Sequence, residues 1–453
     1  MREMKRAIDM TRGKVLTVIL SFAMPIFIGN IFQQLYNVVD TVVIGNVLGD
    51  DALAAIGAST ALFSLTVGIT NGMSNGFSVV LARFFGADDE KSFKKAVFST
   101  VVLTVIVSAV LTITGLVMLR PFLLLLGTPV EIMEMATGYM EIIIAFVSVT
   151  MLYNTLSGML RAIGNSIMPL YALMIASVIN GILDVILVKV VGMGVMGAAV
   201  ATVTSEVISV IAIIIYVLKN CQVLHISRED FCFDMGLITE LFSTGLSMAL
   251  MLVLTNIGSV AMQGAVNSFG VKTITGHTAA RKIHDICMLP FGTICSAAAT
   301  FVSQNYGAGN AERIKKGVKI TLEIGAVWCV ITLAVTMVFG KALITGITGT
   351  TSEEVIGTAY RYLVLNVPFY IVLDGLLVMR NCLQGVGKKI VPVCASLTEL
   401  VGKFVAAFVL APALGYLGIC LIEPITWFVT VPIVAIGFCS VYKELSKAER
   451  LEV

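Results

Sequence analysis

The sequence predicts an all-α integral membrane protein of about twelve transmembrane helices, arranged as two six-helix lobes related by an internal repeat. Of its 453 residues, 58% are hydrophobic and only 13% are charged, and the mean hydropathy is +0.97. A soluble domain carries about 25% charged residues. Apolar runs of about twenty residues, long enough to cross a bilayer as helices, recur throughout the chain. A membrane β-barrel would instead show short alternating segments.

Hydropathy places the predicted spans along the whole chain. Their approximate limits are 15–44, 52–80, 96–118, 134–158, 167–189, 195–218, 240–266, 275–303, 317–339, 356–380, 391–411 and 416–441. The first apolar run follows a basic N-terminus, but it is too long for a signal peptide and has no clear small-residue cleavage site. We therefore expect this run to remain as the first membrane helix.

Basic residues are concentrated in alternate connections between the predicted spans. The basic connections contain Lys91, Lys94, Lys95, Arg161, Lys219, Arg313, Lys315, Lys316, Lys319, Lys388 and Lys389. The opposite connections contain the acids Asp50, Asp51, Glu131, Glu353 and Glu354. The C-terminus is also basic, as is the N-terminus with Arg2, Lys5 and Arg6. Because basic loops stay in the cytoplasm, both termini are predicted to be cytoplasmic, which requires an even number of spans.

An internal repeat divides the chain into two halves. Phe85–Val97 matches Tyr306–Val318, and L-R-A-I-G-N-S-I-M-P, ending at Pro169, matches L-Q-G-V-G-K-K-I-V-P, ending at Pro392. The predicted domains are an N-terminal lobe of spans 1–6 (1–218), a cytoplasmic linker (219–239) and a C-terminal lobe of spans 7–12 (240–453). Parallel repeats of this kind predict a transport path between the lobes.

Polar side chains form a stripe on the first predicted span. Gln33, Asn37 and Asp40 follow helical spacing and therefore share one face. An ionisable group within hydrocarbon costs several kcal/mol unless it is paired or faces a wet cavity. The stripe therefore predicts a polar cavity, and Tyr36, one turn before Asp40, is placed to face a ligand. The working hypothesis is therefore that the protein is a transporter and that Asp40 is part of its proton or cation switch.

A second polar group lies on the fourth to sixth predicted spans. Asn180 and Asp184 share one face of the fifth span, Thr202 and Glu206 share a face of the sixth, and Asn154 adds an amide on the fourth. The two carboxylates Asp40 and Asp184, with amide and hydroxyl oxygens, form an all-oxygen site suited to Na⁺. A crowded carboxylate pair equally suits a proton. The alternative, a structural role between neighbouring helices, is less favoured for the carboxylates because their burial is costly.

The C-terminal half has fewer candidates. Asp374 lies in the middle of a span, whereas Glu399 and Lys403 are predicted to form an i,i+4 ion pair with a structural role. A polar cluster at the membrane face or at a gate, rather than a metal site, is predicted for His277, Arg281, His284 and Asp285.

Two further patterns indicate packing. Glycines spaced by four at 68, 72 and 76 predict close helix packing, although Gly72–Gly76 also fits the pattern of a serine-hydrolase nucleophile elbow. The elbow needs a strand-to-helix turn, and this segment lies inside a predicted span. The nine cysteines have no metal-ligand spacing and are interpreted as packing residues.

The residues also resemble a known family. F-A-M-P-I-F-I-G-N-I-F-Q-Q-L-Y-N-V-V-D-T-V-V-I-G, the K-K loops after the second and eighth spans, and L-R-A-I-G-N-S-I-M-P resemble the multidrug and toxic compound extrusion (MATE) family over nearly the whole chain. The resemblance is closest to the DNA-damage-inducible F branch. It implies a two-lobed antiporter of twelve helices that expels organic, often cationic, compounds in exchange for Na⁺ or H⁺ by alternating access, with no cofactor other than that ion.

The resemblance assigns roles to individual residues. It matches the cation or proton site of that branch to Asp40, Asn180, Asp184 and Thr202, with Asn154 beside them. Pro25 matches a first-helix proline, which implies a conformational hinge. Asp374 matches an acidic position of the other main bacterial branch, but Thr255 stands where that branch has a second acid, which weakens a cation site in the C-terminal lobe. The predicted substrate cavity comprises Gln33, Tyr36, Asn37 and Asp374.

Other functions are less favoured. A lipid-linked oligosaccharide flippase needs a basic cavity to hold a pyrophosphate, and only Arg281, Lys282 and Lys403 could supply it. An intramembrane enzyme would need a catalytic constellation that the spacing does not provide. The expected partners are small organic substrates and the bilayer, and the net charge of +2 argues against nucleic acid. We expect a monomer in a bacterial cytoplasmic membrane, with Na⁺ and H⁺ as open alternatives because both use the same carboxylates.

Overall fold

The computed structural model describes residues 7–231 and 233–451. Arg2, Lys5 and Arg6, which contribute to the predicted orientation of the N-terminus, lie outside these ranges. Within them the chain is helical and contains no strand. The predicted all-α class is therefore confirmed.

Seven α-helices form the first half of the chain. They are α1 (Val15–Leu48), α2 (Asp50–Gly86), α3 (Glu90–Leu125), α4 (Val130–Ala145), α5 (Val147–Ala162), α6 (Ile167–Asp184) and α7 (Val195–Asn220). Helices α4 and α5 are separated by a bend of 47° and together have the length and composition of one span. A π-helical turn at Val185–Val190 extends α6.

Eight α-helices follow in the second half. They are α8 (Met235–Asn267), α9 (Val271–Gly307), α10 (Ala311–Thr348), α11 (Glu353–Asn366), α12 (Tyr370–Gly385), α13 (Ile390–Val405), α14 (Ala411–Leu414) and α15 (Tyr416–Leu451). In the described part of the chain, eleven helical segments are long and apolar enough to cross a membrane, and the bent α4–α5 pair brings the number to twelve. The predicted number of spans is confirmed.

The internal repeat is visible in the backbone. The π-helical turns at Val185–Val190 and Ala406–Leu410 are separated along the chain by the same interval as the repeated sequence segments. The start of α3 and the start of α10 are capped in the same way: the Asp89 carboxylate accepts from the Ser92 amide at 3.0 Å, and the Asn310 side chain accepts from the Arg313 amide at 3.1 Å. The two halves therefore share local geometry as well as sequence.

The helices form two compact units, which we call the first and second units. The first unit contains the described residues before Met10 together with Met24–Leu252, and the second contains Met10–Ala23 together with the residues from Val253 onward. Helices α1 and α8 therefore each contribute residues to both units. The first unit has a core of buried apolar side chains that includes Phe77 and Phe93.

Within the first unit, α2 and the beginning of α8 approach each other through small residues. A β-carbon on Gly72 would overlap the backbone of Ala249, and one on Gly76 would overlap the backbone of Gly245. Only glycine at these two positions of α2 allows the backbones to come so close. The close packing predicted from the glycine spacing is present here.

Within the second unit, the segment before α1 is held by Arg313. Its guanidinium donates to the backbone carbonyl oxygens of Gly13 at 2.7 Å, Arg12 at 2.8 Å and Met10 at 2.9 Å. The Asn305 amide also donates to the Met10 carbonyl at 3.0 Å. The chain is thus attached to the start of α10 before the first membrane helix begins.

Candidate functional site

Two carboxyl groups of the first unit meet inside the helical bundle. Asp40 lies in the last third of α1, and Asp184 is the last residue of α6, where the π-helical turn begins. Their side chains are close enough to interact electrostatically. Asp184 and Asn180, one turn earlier on α6, are completely buried. Turns of π-helix occur often at functional sites, and here one follows the buried acid directly.

The polar atoms at this pair lack partners within the described residues. Both carboxylate oxygens of Asp184, both amide atoms of Asn180 and Oδ1 of Asp40 are buried without a hydrogen-bond partner there. Two ionised carboxylates have only acceptor atoms and cannot satisfy each other. A proton shared between them, or a cation held by their oxygens, would supply what is missing. Buried polar groups without partners are rare in proteins, so this cluster suits a site for a small cation.

Tyr36 connects the acid pair to α7. Its hydroxyl lies 2.9 Å from Oγ1 of Thr202, and its side chain is close enough to Asp40 to interact with it electrostatically. Asp40 and Tyr36 are one helical turn apart on α1, which places both on the same face. The predicted residues Asp40, Asp184, Tyr36 and Thr202 therefore form one connected group.

A cavity of about 200 Å³ lies in the same unit. A water molecule takes up about 30 Å³ of the liquid, so the cavity has room for an organic group or several waters. Side chains from α1, α2, α4, α5, α6 and α7 line it. The predicted site residues among them are Gln33, Tyr36, Asn37, Asn154 and Thr202. Tyr36 and Thr202 thus belong both to the cavity wall and to the group around the acids.

The family assignment rests on a match to most of the chain. The MatE family model matches twice, at residues 25–186 and at residues 247–409, which together exceed half of the sequence. The chain belongs to the MATE family. The two matches correspond to the two halves of the internal repeat.

Curated relatives agree with this assignment. The probable multidrug resistance protein YpnP of Bacillus subtilis (strain 168) is 31% identical over 68% of this chain and 69% of its own length. YoeA of the same strain, also described as a probable multidrug resistance protein, is 24% identical over 86% of each chain. The present MATE protein therefore spans most of the length of these relatives.

A solved structure confirms the fold. The crystal structure described as MATE in the bent conformation superposes with a TM-score of 0.90 and covers 99% of both chains, at 21% sequence identity. This MATE protein therefore has the family fold, a multi-pass membrane bundle with two repeated lobes.

Two predicted site residues of this MATE protein belong neither to the acid pair nor to the described cavity wall. Asp374 is on α12 in the second unit, where it is buried against Gly325 of α10. It does not line the described cavity. Pro25 lies inside α1, directly after Met24, the residue at which the part of α1 that belongs to the first unit begins.

The sequence places Glu206 on one face with Thr202 but not in the predicted site, and the structure places it in the cavity wall. Its Oε2 accepts a hydrogen bond of 2.6 Å from the Thr150 hydroxyl. The sequence signal that could have identified Glu206 as a site residue is its position one turn after Thr202 on α7, which places both side chains on one face. Asn71 of α2 is a second lining residue that was not singled out.

The second unit of this MATE protein contains the polar cluster predicted around Arg281. The Arg281 guanidinium donates to Glu423 at 2.9 Å and to the Tyr362 hydroxyl at 3.2 Å. His284 lies 2.7 Å from the Tyr370 hydroxyl through Nδ1. The cation is therefore paired with a buried carboxylate, and the neighbouring histidine has its own hydroxyl partner.

The predicted Glu399–Lys403 ion pair is wrong. Glu399 pairs with Arg380 of α12 instead. The Lys403 ammonium turns toward α8 and lies 3.2 Å from the Ser259 hydroxyl and 3.4 Å from the Thr255 carbonyl. Because a guanidinium from a neighbouring helix matches the planar carboxylate better than an ammonium does, tertiary packing overrides the i,i+4 spacing.

Replacing Glu423 with glutamine is expected to destabilise this MATE protein by about 3 kcal/mol, since breaking a largely buried ion pair leaves the arginine without its main counter-charge. Glu423 is 9% exposed and Arg281 29% exposed at the side chain, with Asp285 remaining at 3.7 Å. Thermal unfolding of the purified protein in detergent measures the change. The control is Glu323→Gln, since the Lys319–Glu323 pair is mostly exposed and is expected to contribute less than about 1 kcal/mol. Equal stability of the two variants would contradict the role given to the buried pair.

Proposed function

We propose that this chain is a secondary active efflux antiporter that exports organic, often cationic, compounds in exchange for H⁺ or Na⁺ by alternating access. The proposal is carried mainly by the pairing of Asp40 with Asp184, whose buried oxygens lack hydrogen-bond donors and lie next to a cavity. The membrane fold and the names of the relatives point to transport of drug-like compounds. Neither ion is favoured over the other, because a carboxylate pair with an adjacent amide accepts both.

An antiporter requires that its two ligands compete or favour opposite-facing states. Binding of a proton or Na⁺ at the acid pair satisfies its oxygens and removes part of its negative charge. Tyr36 bonds to Thr202 and reaches Asp40, so a change in the charge of the pair alters a side chain that also lines the cavity. Ion binding is thereby coupled to the shape and charge of the cavity.

Pro25 provides a place where α1 can change direction. A proline has no backbone N–H, so the carbonyl of Ser21 has no i,i+4 partner within α1. The residues of α1 up to Ala23 belong to the second unit, and those from Met24 belong to the first. This boundary lies next to Pro25. We propose that α1 rearranges here when the ion binds.

The remaining features of the proposal follow from the same family pattern. We place the protein in the DNA-damage-inducible F branch, with the ion site at Asp40, Asn180, Asp184 and Thr202 and with Asn154 beside it. It acts as a monomer in a bacterial cytoplasmic membrane, with both termini in the cytoplasm. Lobes 1–218 and 240–453 are joined by a cytoplasmic linker at 219–239. The coupling ion is the only additional component.

A lipid-linked oligosaccharide flippase is not favoured. Among its lining residues the described cavity has no lysine, arginine or histidine, and its one carboxylate would repel a pyrophosphate. Of the basic candidates, Arg281 is already paired with Glu423, Lys282 is exposed and Lys403 bonds to α8. The cavity therefore suits a cation better than an anion.

Export driven by an imposed ion gradient tests the proposed function. The full chain is reconstituted in liposomes with the fluorescent cation ethidium, and a pH gradient and a Na⁺ gradient are imposed in separate experiments. At least one of the imposed gradients is expected to drive ethidium against its own concentration gradient. The double variant Asp40→Asn, Asp184→Asn is expected to abolish this transport. Transport that is indifferent to both gradients, or movement of a fluorescent lipid-linked saccharide in its place, would contradict antiport of organic cations.

A further inference from the structure

Glu206 is the only carboxylate among the described residues that line the cavity of the first unit, and none of those lining residues is lysine, arginine or histidine. When this acid is ionised, a cavity wall with one acid and no base has a negative potential. Neither Asp40 nor Asp184 is in this wall. The negative charge that faces the cavity directly therefore comes from Glu206.

The Glu206 carboxylate is held in place but has no cationic partner among the described residues. Oε2 accepts from the Thr150 hydroxyl at 2.6 Å, which fixes the orientation of the group. Within the described chain Glu206 forms no ion pair. Its Oε1 accepts no hydrogen bond there and is not fully buried. One oxygen of a fixed carboxylate is thus left for a ligand in the cavity.

The surroundings of Glu206 suit an organic cation more than a hydrated metal ion. The cavity wall includes the aromatic rings of Tyr36, Phe63 and Tyr153 and the amides of Gln33 and Asn154. Aromatic faces attract cations, and apolar walls favour a ligand with a hydrophobic body. A carboxylate among aromatic rings is a typical way to recognise a bulky cation with one positive charge.

We propose that the two acid centres bind different ligands. Glu206 is the counter-ion for the positively charged group of the exported compound, while Asp40 and Asp184 hold the coupling ion. This inference rests on the proposed antiport function. Thr202, one turn before Glu206 on α7, bonds to Tyr36, which reaches Asp40. The two centres are therefore separate but connected through two side chains.

Binding of a matched ligand pair tests this assignment without any ion gradient. The ligands are tetraphenylphosphonium and its uncharged isostere tetraphenylmethane carrying a solubilising polyether, added to the purified full-length protein in detergent. For Glu206→Gln the dissociation constant of the cation is expected to rise about 10- to 100-fold, the effect of one charge-assisted contact. The affinity for the neutral ligand is expected to stay within about twofold. Glu206→Asp is expected to recover part of the cation affinity.

Transport in liposomes supplies the second readout. For Glu206→Gln the KM for ethidium is expected to rise, while the ion that drives transport and its concentration dependence stay the same. Glu141→Gln, which changes an exposed acid of α4, serves as the control. An equal loss of affinity for the charged and the neutral ligand would indicate a structural role for Glu206. A changed dependence of transport on the driving ion would place Glu206 in the coupling site. Either result overturns the assignment. If wild-type protein binds no cation at all, the proposed function fails, whereas cation binding that is insensitive to Glu206→Gln refutes this inference alone.

Discussion

Replacing Asp40 with asparagine is expected to abolish ion-driven export while leaving the protein folded. An asparagine amide can donate to the oxygens of Asp184 that otherwise lack a donor. The variant therefore resembles the pair with its proton permanently bound and can no longer release it. Gradient-driven ethidium transport in liposomes is expected to fall to the background level. Thermal stability in detergent is expected to be equal to or higher than that of the wild type, because a buried charge has been removed.

Asp51→Asn is the matched control for this change, since Asp51 is an exposed acid on α2. It is expected to leave transport unchanged. The result that would count against the acid pair is an Asp40→Asn protein that still transports ethidium with the same dependence on the imposed gradient. A protein that fails to fold would be equally inconsistent, because the asparagine has nearly the same volume as the aspartate and adds a donor where one is missing.

Replacing Gly76 with valine is expected to lower the free energy of unfolding by about 3 kcal/mol or more. The new side chain meets the backbone of Gly245 on α8, which cannot rotate away as a side chain would. The two helices must move apart, so apolar contacts on both sides of the crossing are lost as well. Thermal unfolding in detergent and the yield of monodisperse protein measure the effect.

Gly57→Val provides the comparison for this substitution. Gly57 is on the same helix, but a β-carbon there meets nothing within 4 Å. The stability of that variant is expected to change by less than about 0.5 kcal/mol. If both valine variants unfold at the same temperature, the close approach of α2 and α8 does not contribute to stability in the way described.

The fold was largely predictable because its signals are local. The length of apolar runs determines which segments can cross a bilayer, and helical spacing alone places Gln33, Asn37 and Asp40 on one face. The pairing of Asp40 with Asp184 was inferred from the cost of burying two isolated acids, which is a property of the residues themselves. The structure places these two acids together.

Features that depend on packing between distant segments were not predictable in the same way. The assignment of Glu399 to Lys403 followed the spacing within one helix, but Arg380 from another helix is the better partner. The position of Glu206 in a cavity depends on how α5 and α7 pack, as its bond to Thr150 illustrates. The attachment of the segment before α1 to the second unit also depends on Arg313, which is far away in sequence.

The attachment of the N-terminal segment to Arg313 has a consequence for biosynthesis. Gly13 leaves the ribosome before its partner Arg313, which is added 300 residues later. At about 5–20 residues per second, the delay is about 15–60 seconds. During that time the beginning of α1 has no final docking partner, although the rest of this helix can already join the helices made directly after it. Assembly of the first membrane helix is therefore completed only when translation has passed well into the second half of the chain.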